Sequence, residues 1–316
     1  ASYDVIIPSD YMVQRLISEN MLEKLDFSEI PNYKYTDSRY KDLYFDKNNE
    51  YSVPYMVGMV GLIYNTKLVS GTPDSWSIMW DKKYSGEILM FNNPRDAFGI
   101  AQYLLGQDVN STDKADWQKA LEKLEEEKPL VKSYVMDEIF NLMESGSAAI
   151  APYYAGDFLS MKENNPDLAF VYPKEGTNAF VDSMCIPTTT QNKKAAELYI
   201  NFMCEPDIAL ANAEAVCYAS PNTAVTSNDS YSLKGNEILY PSDENVYKNV
   251  QYFHNLPSGT LTTMTDMWDT LKNEDTQTGT NGGSSKGMYI GLGIFAVVAA
   301  AFAIIAAVRK KRREKE

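Results

Sequence analysis

The residues best suited to chemistry are carboxylates that stand beside aromatic side chains at the ends of expected strands. Carboxylates can hold an ammonium group through charge-assisted hydrogen bonds, and aromatic faces can pack against its methylene stem. Each segment alone is a weak signal, because its carboxylate could face water or cap a helix and its rings could belong to the core. The five segments are PSDY (Pro8–Tyr11), NNPRD (Asn92–Asp96), PYYAGD (Pro152–Asp157), FVD (Phe180–Asp182) and MWD (Met267–Asp269).

Asp182 is the least expected of these carboxylates, because within the stretch Tyr172–Pro187 it interrupts an aromatic and aliphatic run, between Val181 and Ser183. Phe180, two residues earlier, would lie on the same face of a strand. Burying a carboxylate without a partner is costly. A cationic ligand would supply that partner, and the alternative is hydrogen bonding to neighbouring backbone amides.

The chain carries no recognisable catalytic motif. It has no GxSxG, HExxH or P-loop sequence, and it contains one histidine, His254. Its three cysteines, Cys185, Cys204 and Cys217, lack metal-binding spacing, and an odd number of cysteines outside the cell would leave one unpaired. We therefore expect a protein that is not an enzyme and has no metal and no cofactor.

The charge distribution argues against nucleic acid as a partner. The formal net charge of the 316 residues is -14. Without the C-terminal segment Arg309–Glu316, which holds six basic and two acidic residues, 23 basic and 41 acidic residues remain. Such a body repels nucleic acid and attracts cations, although acidity also serves solubility alone.

The body of the chain alternates short strands with amphipathic helices, which favours an α/β sandwich with mostly parallel sheets. In the segment Asp113–Glu127, for example, Trp117, Leu121 and Leu124 share one helical face. The other predicted strands are Tyr3–Pro8, Tyr51–Asn65, Ser85–Phe91, Ala148–Tyr154 and Leu168–Pro173, and the other predicted helices are Pro94–Gly106, Asp137–Gly146 and Lys193–Val216, the last broken at Pro206.

The C-terminal segment predicts a membrane anchor. Residues 288–308 contain no charge, and 21 helical residues at about 1.5 Å each span a bilayer core of about 30 Å. The basic run Arg309–Arg313 follows, so residues 309–316 would form a cytoplasmic basic tail and the body would lie outside. Residues 273–287 are rich in Gly, Ser and Thr and read as a flexible linker. The alternative for residues 288–308 is a buried core helix.

The N-terminus opens directly on a predicted strand and shows no signal peptide. An exported body needs an export signal, so we expect the chain to lack its true N-terminus.

Several longer segments along the chain carry a family resemblance, and they are YDVIIPSDYMVQRLISENMLEKLD (Tyr3–Asp26), YSVPYMVG (Tyr51–Gly58), SWSIMWDKKYSGEILMF (Ser75–Phe91), VYPKEG (Val171–Gly176), FVDSMCIP (Phe180–Pro187), YINFMCEPDIA (Tyr199–Ala209) and YASPN (Tyr218–Asn222). Together they resemble the spermidine/putrescine-binding proteins of ABC importers, over Tyr3 to about Lys272. The resemblance implies a two-lobed α/β fold of the periplasmic-binding-protein type (type II), with ligand in the cleft between the lobes. Lobe one would comprise residues 1–56 and 180–228, and lobe two residues 57–179 and 229–272.

The same resemblance implies a set of ligand-binding residues. The acidic loop of the family matches Asn93–Asp96, so that one of its two acids is replaced by Asn93, and the late Gln of the family matches Asp269. Two family tryptophans are replaced by Tyr154 and Phe180. The implied set is Ser9, Tyr11, Asn93, Asp96, Tyr154, Phe180, Asp182, Tyr218 and Asp269.

The function implied by the resemblance is capture of putrescine or spermidine outside the cytoplasm, followed by delivery to a membrane permease driven by an ATPase. Other organic cations stay open as ligands, and a small anion would need convergent basic groups, for which Arg95 is the one candidate in these segments. A membrane-anchored polyamine sensor is a further alternative, although the tail of residues 309–316 is short for signalling. The last alternative is a surface enzyme or an adhesin built on the same fold.

Overall fold

The computed structural model describes residues 3–273. Residues 1–271 belong to one unit and residues 272–316 to a second, of which only Lys272 and Asn273 are described. The strands are β1 Ser52–Asn65, β2 Ile88–Phe91, β3 Val131–Val135, β4 Ile150–Tyr154, β5 Leu168–Val171, β6 Thr177–Cys185 and β7 Val250–Tyr252. The helices are α1 Asp10–Ser18, α2 Pro94–Leu104, α3 Lys114–Glu127, α4 Glu138–Glu144, α5 Ala155–Asn164, α6 Lys193–Met203, α7 Pro206–Val216, α8 Thr223–Thr226 and α9 Ser258–Asn273.

Strand β1 pairs with three other strands and joins the two halves of the sheet. Its first half pairs with β6, from Ser52 with Cys185 to Met59 with Ala179. Its second half pairs with β4 and β5, beginning with Val60 opposite Tyr154. Nearly all of its residues are buried, as expected for a continuous apolar run in the middle of a sheet. The long apolar segment predicted from sequence is therefore confirmed as one strand that serves both halves of the sheet.

The expectation of mostly parallel pairing is wrong. Of the six strand pairings within residues 3–273, three are parallel, and the three that involve β1 are antiparallel. The alternation of strands and helices along the chain does not reveal the direction of a long strand that lies between the others. The predicted strand Tyr3–Pro8 also differs, because it meets β6 only through isolated bridges such as Ile6 opposite Cys185.

The helices follow their sequence signals closely. Helix α3 begins after Asp113, whose carboxylate accepts a hydrogen bond from the Ala115 amide at 2.9 Å, and it buries Trp117, Leu121 and Leu124 as predicted. Helices α6 and α7 are separated immediately before Pro206. These local signals are sufficient because each depends on residues only a few positions apart.

The largest buried apolar cluster surrounds β2 and β4 and extends from Val60 to Leu271. A smaller cluster joins Ile30, Val53 and Met184 to helix α6, and others lie beside α1 and α7. The paired strands β1 and β6 contribute residues to several of these clusters.

Among residues 3–273, no helix combines the length and the apolar composition that a membrane span requires. The predicted linker, residues 273–287, lies almost wholly outside the described residues. The predicted membrane helix, residues 288–308, and the basic tail, residues 309–316, lie entirely outside them.

Candidate ligand-binding site

Eight of the nine residues predicted to bind ligand line one cavity of about 190 Å³. They come from five separated parts of the chain, namely the start of α1, the start of α2, the junction of β4 and α5, the middle of β6, and the segment after α7. These residues are Ser9, Tyr11, Asn93, Asp96, Tyr154, Phe180, Asp182 and Tyr218.

Asp182 lies on β6 opposite Met56 of β1, where the two strands pair antiparallel. Its carboxylate Oδ1 accepts a hydrogen bond from the hydroxyl of Ser9 at 2.6 Å, and Ser9 also forms an isolated backbone bridge with it. Burial raises the pKa of Asp182, and the Ser9 hydrogen bond opposes that rise. Ser9 thus holds one carboxylate oxygen, and the carboxylate lines the cavity where a cation could pair with it.

Asp96 lies in the first turn of α2 and is almost completely buried, with 5% of its surface exposed. Its Oδ2 accepts a hydrogen bond from the Tyr154 hydroxyl at 3.3 Å. Burial raises the pKa of Asp96 to about 7, while Tyr154 and the nearby Arg95 charge act in the opposite direction. Asn93 caps the same helix by accepting the Arg95 amide at 2.9 Å, so its side chain has a structural task as well as a place at the cavity.

Phe180 lies between two tyrosines of the cavity. Its ring meets Tyr154 edge to face at 5.4 Å between centroids, and it lies 6.0 Å from Tyr218. Gly58 on β1 makes room for the ring, because a Cβ added there would lie 2.5 Å from Phe180 Cζ. The aromatic wall expected from sequence therefore forms on β6 with support from the neighbouring strand.

Tyr218 is positioned by residues outside the predicted set. Its hydroxyl donates to Asp157 Oδ2 at 2.8 Å, and burial raises the pKa of Asp157 to about 6. Its ring lies over Gly156, where an added Cβ would come within 2.3 Å of Tyr218 Cδ2. The preceding Cys217 adopts a left-handed conformation that ends α7 and turns the chain toward Tyr218.

Three further residues line the cavity and were missed as ligand candidates: Asp10, Asn178 and Phe253. Asn178 continues the two-residue alternation of Phe180 and Asp182 on β6, so strand periodicity could have revealed it. Phe253 gave no such signal, because only the tertiary fold brings its ring to within 6.3 Å of the Tyr11 ring.

Asp10 is the carboxylate of the segment PSDY, which could cap a helix, but it is the first residue inside α1 and Ser9 occupies the N-cap position. Its carboxylate accepts hydrogen bonds from the amides of Tyr11 at 2.7 Å and Val181 at 3.2 Å. Burial raises its pKa to about 7. Asp10 thus ties α1 to β6 while adding a third carboxylate to the cavity.

Asp269 does not join the other eight residues. It lies on the exposed side of α9 and is absent from the cavity lining. Met264, Met267, Trp268 and Leu271 are buried on the opposite side of the helix. This apolar stripe at helical spacing fixes the rotation of α9 and directs Asp269 to solvent.

The cavity carries acidic groups without basic ones. Its lining, in the part of the chain that the structure describes, includes three aspartates and no lysine, arginine or histidine. Arg95 turns away from it, and its guanidinium donates to the Val109 carbonyl at 2.6 Å and to Asn110 Oδ1 at 2.6 Å. It also lies 4.3 Å from the centre of the Phe253 ring. An anionic ligand would therefore meet three carboxylates and no cation here.

Comparison with known proteins shows which family this chain matches. The family model for the bacterial extracellular solute-binding protein matches residues 1–249. The spermidine/putrescine-binding periplasmic protein of Salmonella typhimurium is 31% identical over 248 residues, which is 78% of this chain and 71% of that protein. The putrescine-binding periplasmic protein SpuD of Pseudomonas aeruginosa is 27% identical over 294 residues, which is 86% of this chain and 79% of that protein.

Solved structures show the same fold. A chain from Listeria monocytogenes superposes with a TM-score of 0.82 at 36% identity, covering 86% of this chain and 84% of that one. The spermidine/putrescine ABC transporter substrate-binding protein PotD of Streptococcus pneumoniae gives a TM-score of 0.75 at 31% identity, with the same coverage. The two-lobed α/β fold of periplasmic binding proteins is thus confirmed, and so is the expectation of a solute-binding protein rather than an enzyme. The chain belongs to the bacterial extracellular solute-binding protein family.

Proposed function

We propose that this protein captures polyamines, putrescine or spermidine, as the extracytoplasmic solute-binding component of an ABC transporter. The observation that carries the proposal is the convergence of three aspartates and an aromatic wall on one cavity that no basic side chain lines in residues 3–273. The names of the relatives point to the same ligands.

The chemistry of capture follows from the lining. An ammonium group of the ligand donates to Asp182 and Asp96, and its methylenes pack against Phe180 and the neighbouring tyrosines. Asp10 contributes negative charge from the side of α1. No covalent step is required, and the ligand itself supplies the charge that the buried carboxylates lack.

The proposal includes two lobes, residues 1–56 with 180–228 and residues 57–179 with 229–272, that close on the ligand by a hinge motion at β1 and β6. The closed protein then docks on a membrane permease driven by an ATPase. The membrane helix at residues 288–308 and a longer N-terminus remain predictions. Tethering of this kind would raise the concentration of binder near its permease.

Isothermal titration calorimetry of the purified full chain tests the ligand class. We expect putrescine or spermidine to bind, and amino acids, phosphonates and small dicarboxylates not to bind. Tight binding of an anion with no binding of either polyamine would contradict the proposal.

The site itself is tested by two isosteric variants. We expect Asp182→Asn and Asp96→Asn each to weaken polyamine binding by about tenfold or more, because each removes a charge-assisted hydrogen bond. Asp269→Asn is the matched control and should leave the affinity unchanged, since Asp269 lies outside the cavity lining. Unchanged affinity in both cavity variants would refute the assigned site.

A further inference from the structure

A second cavity, larger than the first, lies against the paired strands β1 and β6. Its volume is about 220 Å³. Val57, Gly58 and Met59 of β1 and Ala179 of β6 form one wall, and β7 adds Val250 and Tyr252. The lining also includes Arg39, Phe180 and the tyrosines Tyr40, Tyr172, Tyr240 and Tyr247.

Phe180 lines both cavities. No other residue of the described chain is common to the two linings. Because the Phe180 ring is fitted over Gly58, it has little room to move independently of β1. A molecule in the second cavity and an amine in the first would therefore both contact one constrained ring.

The chemistry of the second cavity differs from that of the first. Its lining includes no aspartate or glutamate within residues 3–273. Its one charged group is Arg39, whose side chain is 69% exposed and whose guanidinium is already paired with Asp37 at 2.8 Å. A cationic ligand thus finds no counter-charge, and an anionic one finds an arginine that is neutralised and largely in solvent.

The hydroxyl groups of the lining tyrosines separate into two kinds. Those of Tyr172 and Tyr247 donate to the carbonyls of Ile238 at 2.6 Å and Pro241 at 3.2 Å, and the Tyr240 hydroxyl accepts the Ser220 amide at 2.9 Å.

The hydroxyls of Tyr40 and Tyr252 have no hydrogen-bond partner among the described residues. Burial raises the pKa of Tyr40 to about 12 and raises that of Tyr252, so both remain protonated donors at neutral pH. An acceptor on a ligand that reached these hydroxyls would meet two donors that no hydrogen bond within residues 3–273 engages.

The size of the cavity matches a single ring with a substituent. A dry apolar cavity of about 150 Å³ accommodates benzene, and this one has a volume of about 220 Å³. Its rings and aliphatic side chains supply the apolar contacts that an aromatic molecule needs.

We propose that this cavity is a second small-molecule site, which takes a neutral, ring-bearing molecule with a hydrogen-bond acceptor and is coupled to the amine site through Phe180. The site stands on its own lining, whereas the coupling rests on the proposed polyamine function. If coupling exists, each ligand changes the affinity for the other by the same factor.

Two probes of nearly equal shape test the site on the full chain. Acetophenone carries a carbonyl acceptor, and ethylbenzene does not. We expect acetophenone to bind with a dissociation constant of about 1 mM or below, as suits a ligand of its size. Ethylbenzene should bind about threefold to tenfold more weakly, because it leaves the two phenols unpaired. Titration followed by the NMR signals of the tyrosine rings measures both constants.

Three variants assign the binding to this cavity. The double variant Tyr40→Phe with Tyr252→Phe keeps the volume and should abolish the preference for acetophenone. Tyr247→Phe is its matched control and should keep the preference, because that hydroxyl is already bonded to Pro241. Val250→Phe fills part of the cavity from an edge strand and should remove binding of both probes, with circular dichroism to verify that it is folded.

The coupling is measured with putrescine and acetophenone together. We expect a saturating amount of one to change the dissociation constant of the other by about twofold or more, and Val250→Phe to abolish that change. Failure of acetophenone to bind, or binding insensitive to both the double variant and Val250→Phe, would overturn the second site. Probe binding without any change in putrescine affinity would overturn the coupling. If putrescine itself does not bind, the polyamine function fails while the probe titrations still decide the second site.

Discussion

Burial raises the pKa of all three aspartates that line the first cavity, but their hydrogen-bond partners differ. Asp10 accepts two backbone amides, Asp182 accepts the Ser9 hydroxyl and Asp96 accepts the Tyr154 hydroxyl. Burial raises the pKa of Asp10 and of Asp96 to about 7 and raises that of Asp182. Because backbone amides already satisfy Asp10, we infer that Asp96 and Asp182 are the carboxylates most available to a ligand.

Polyamine affinity should depend on pH through Asp96. In the free protein its pKa is about 7, so below that pH the carboxyl group is mostly protonated and neutral. A bound ammonium group stabilises the ionised form and lowers this pKa, so binding releases a proton. Affinity should therefore fall as the pH decreases through 7, by about tenfold between pH 8 and pH 6 for one such group, and level off above it.

Calorimetry in buffers of different ionisation enthalpy measures both the affinity and the proton release. The Asp96→Asn variant supplies the control, since its affinity should be lower but flatter between pH 6 and 8. A wild-type affinity that does not change over this range would show that Asp96 does not titrate on binding.

At the scale of elements, the site depends on the register between the paired strands β1 and β6. Gly58 pairs with Phe180 across β1 and β6, and Met56 pairs with Asp182. A slip of one residue would turn Phe180 and Asp182 to the other face of the sheet. The close fit of the Phe180 ring over Gly58 is one feature that holds this register.

Gly58→Ala should damage both stability and binding. The added methyl group would lie 2.5 Å from Phe180 Cζ, so either the ring or the strand must shift. We expect a loss of about 1–3 kcal/mol in the free energy of unfolding, as for other overpacked cores, and weaker polyamine binding. Urea denaturation and calorimetry measure the two effects.

Gly259→Ala is the matched control for this substitution. Gly259 lies in α9 with no atom within 4 Å of an added Cβ, so alanine should leave binding unchanged and favour the helix slightly. Equal behaviour of the two variants would show that the contact with Phe180 does not matter.

At the scale of the whole molecule, hydrogen bonds join the two proposed lobes beside the cavity. The Gln14 side chain of α1 accepts the Asn255 amide at 2.7 Å, and the Tyr44 hydroxyl donates to the Phe253 carbonyl at 2.7 Å. In the proposed division, Gln14 and Tyr44 belong to lobe one and Asn255 and Phe253 to lobe two. We infer that these contacts help to hold the closed form.

Gln14→Ala should weaken polyamine binding although Gln14 does not line the cavity. If this hydrogen bond between the proposed lobes breaks when they open, its loss should reduce affinity by about threefold to tenfold. Gln118→Ala on the exposed face of α3 removes a similar side chain far from the lobe contact and should leave affinity unchanged. An unaltered affinity in Gln14→Ala would mean that this bond persists in the open form or contributes nothing to closure.

The sequence by itself determined the elements whose causes are local. The cap at Asp113, the apolar stripe of α3, the break before Pro206 and the long apolar run of β1 all depend on neighbouring residues, and all were predictable. The common face of Phe180 and Asp182 likewise follows from strand periodicity. Family resemblance added the positions that lie far apart along the chain, and eight of those nine line one cavity.

Only the tertiary structure decided how these elements meet. The antiparallel pairing of β1 depends on strand order, which local periodicity does not contain. Phe253 reaches the cavity, and the Asp10 carboxylate reaches β6, through contacts between residues more than a hundred positions apart. Asp269 points away because the packing of four apolar side chains sets the rotation of α9. Long-range packing thus selects which of the locally plausible side chains face the ligand.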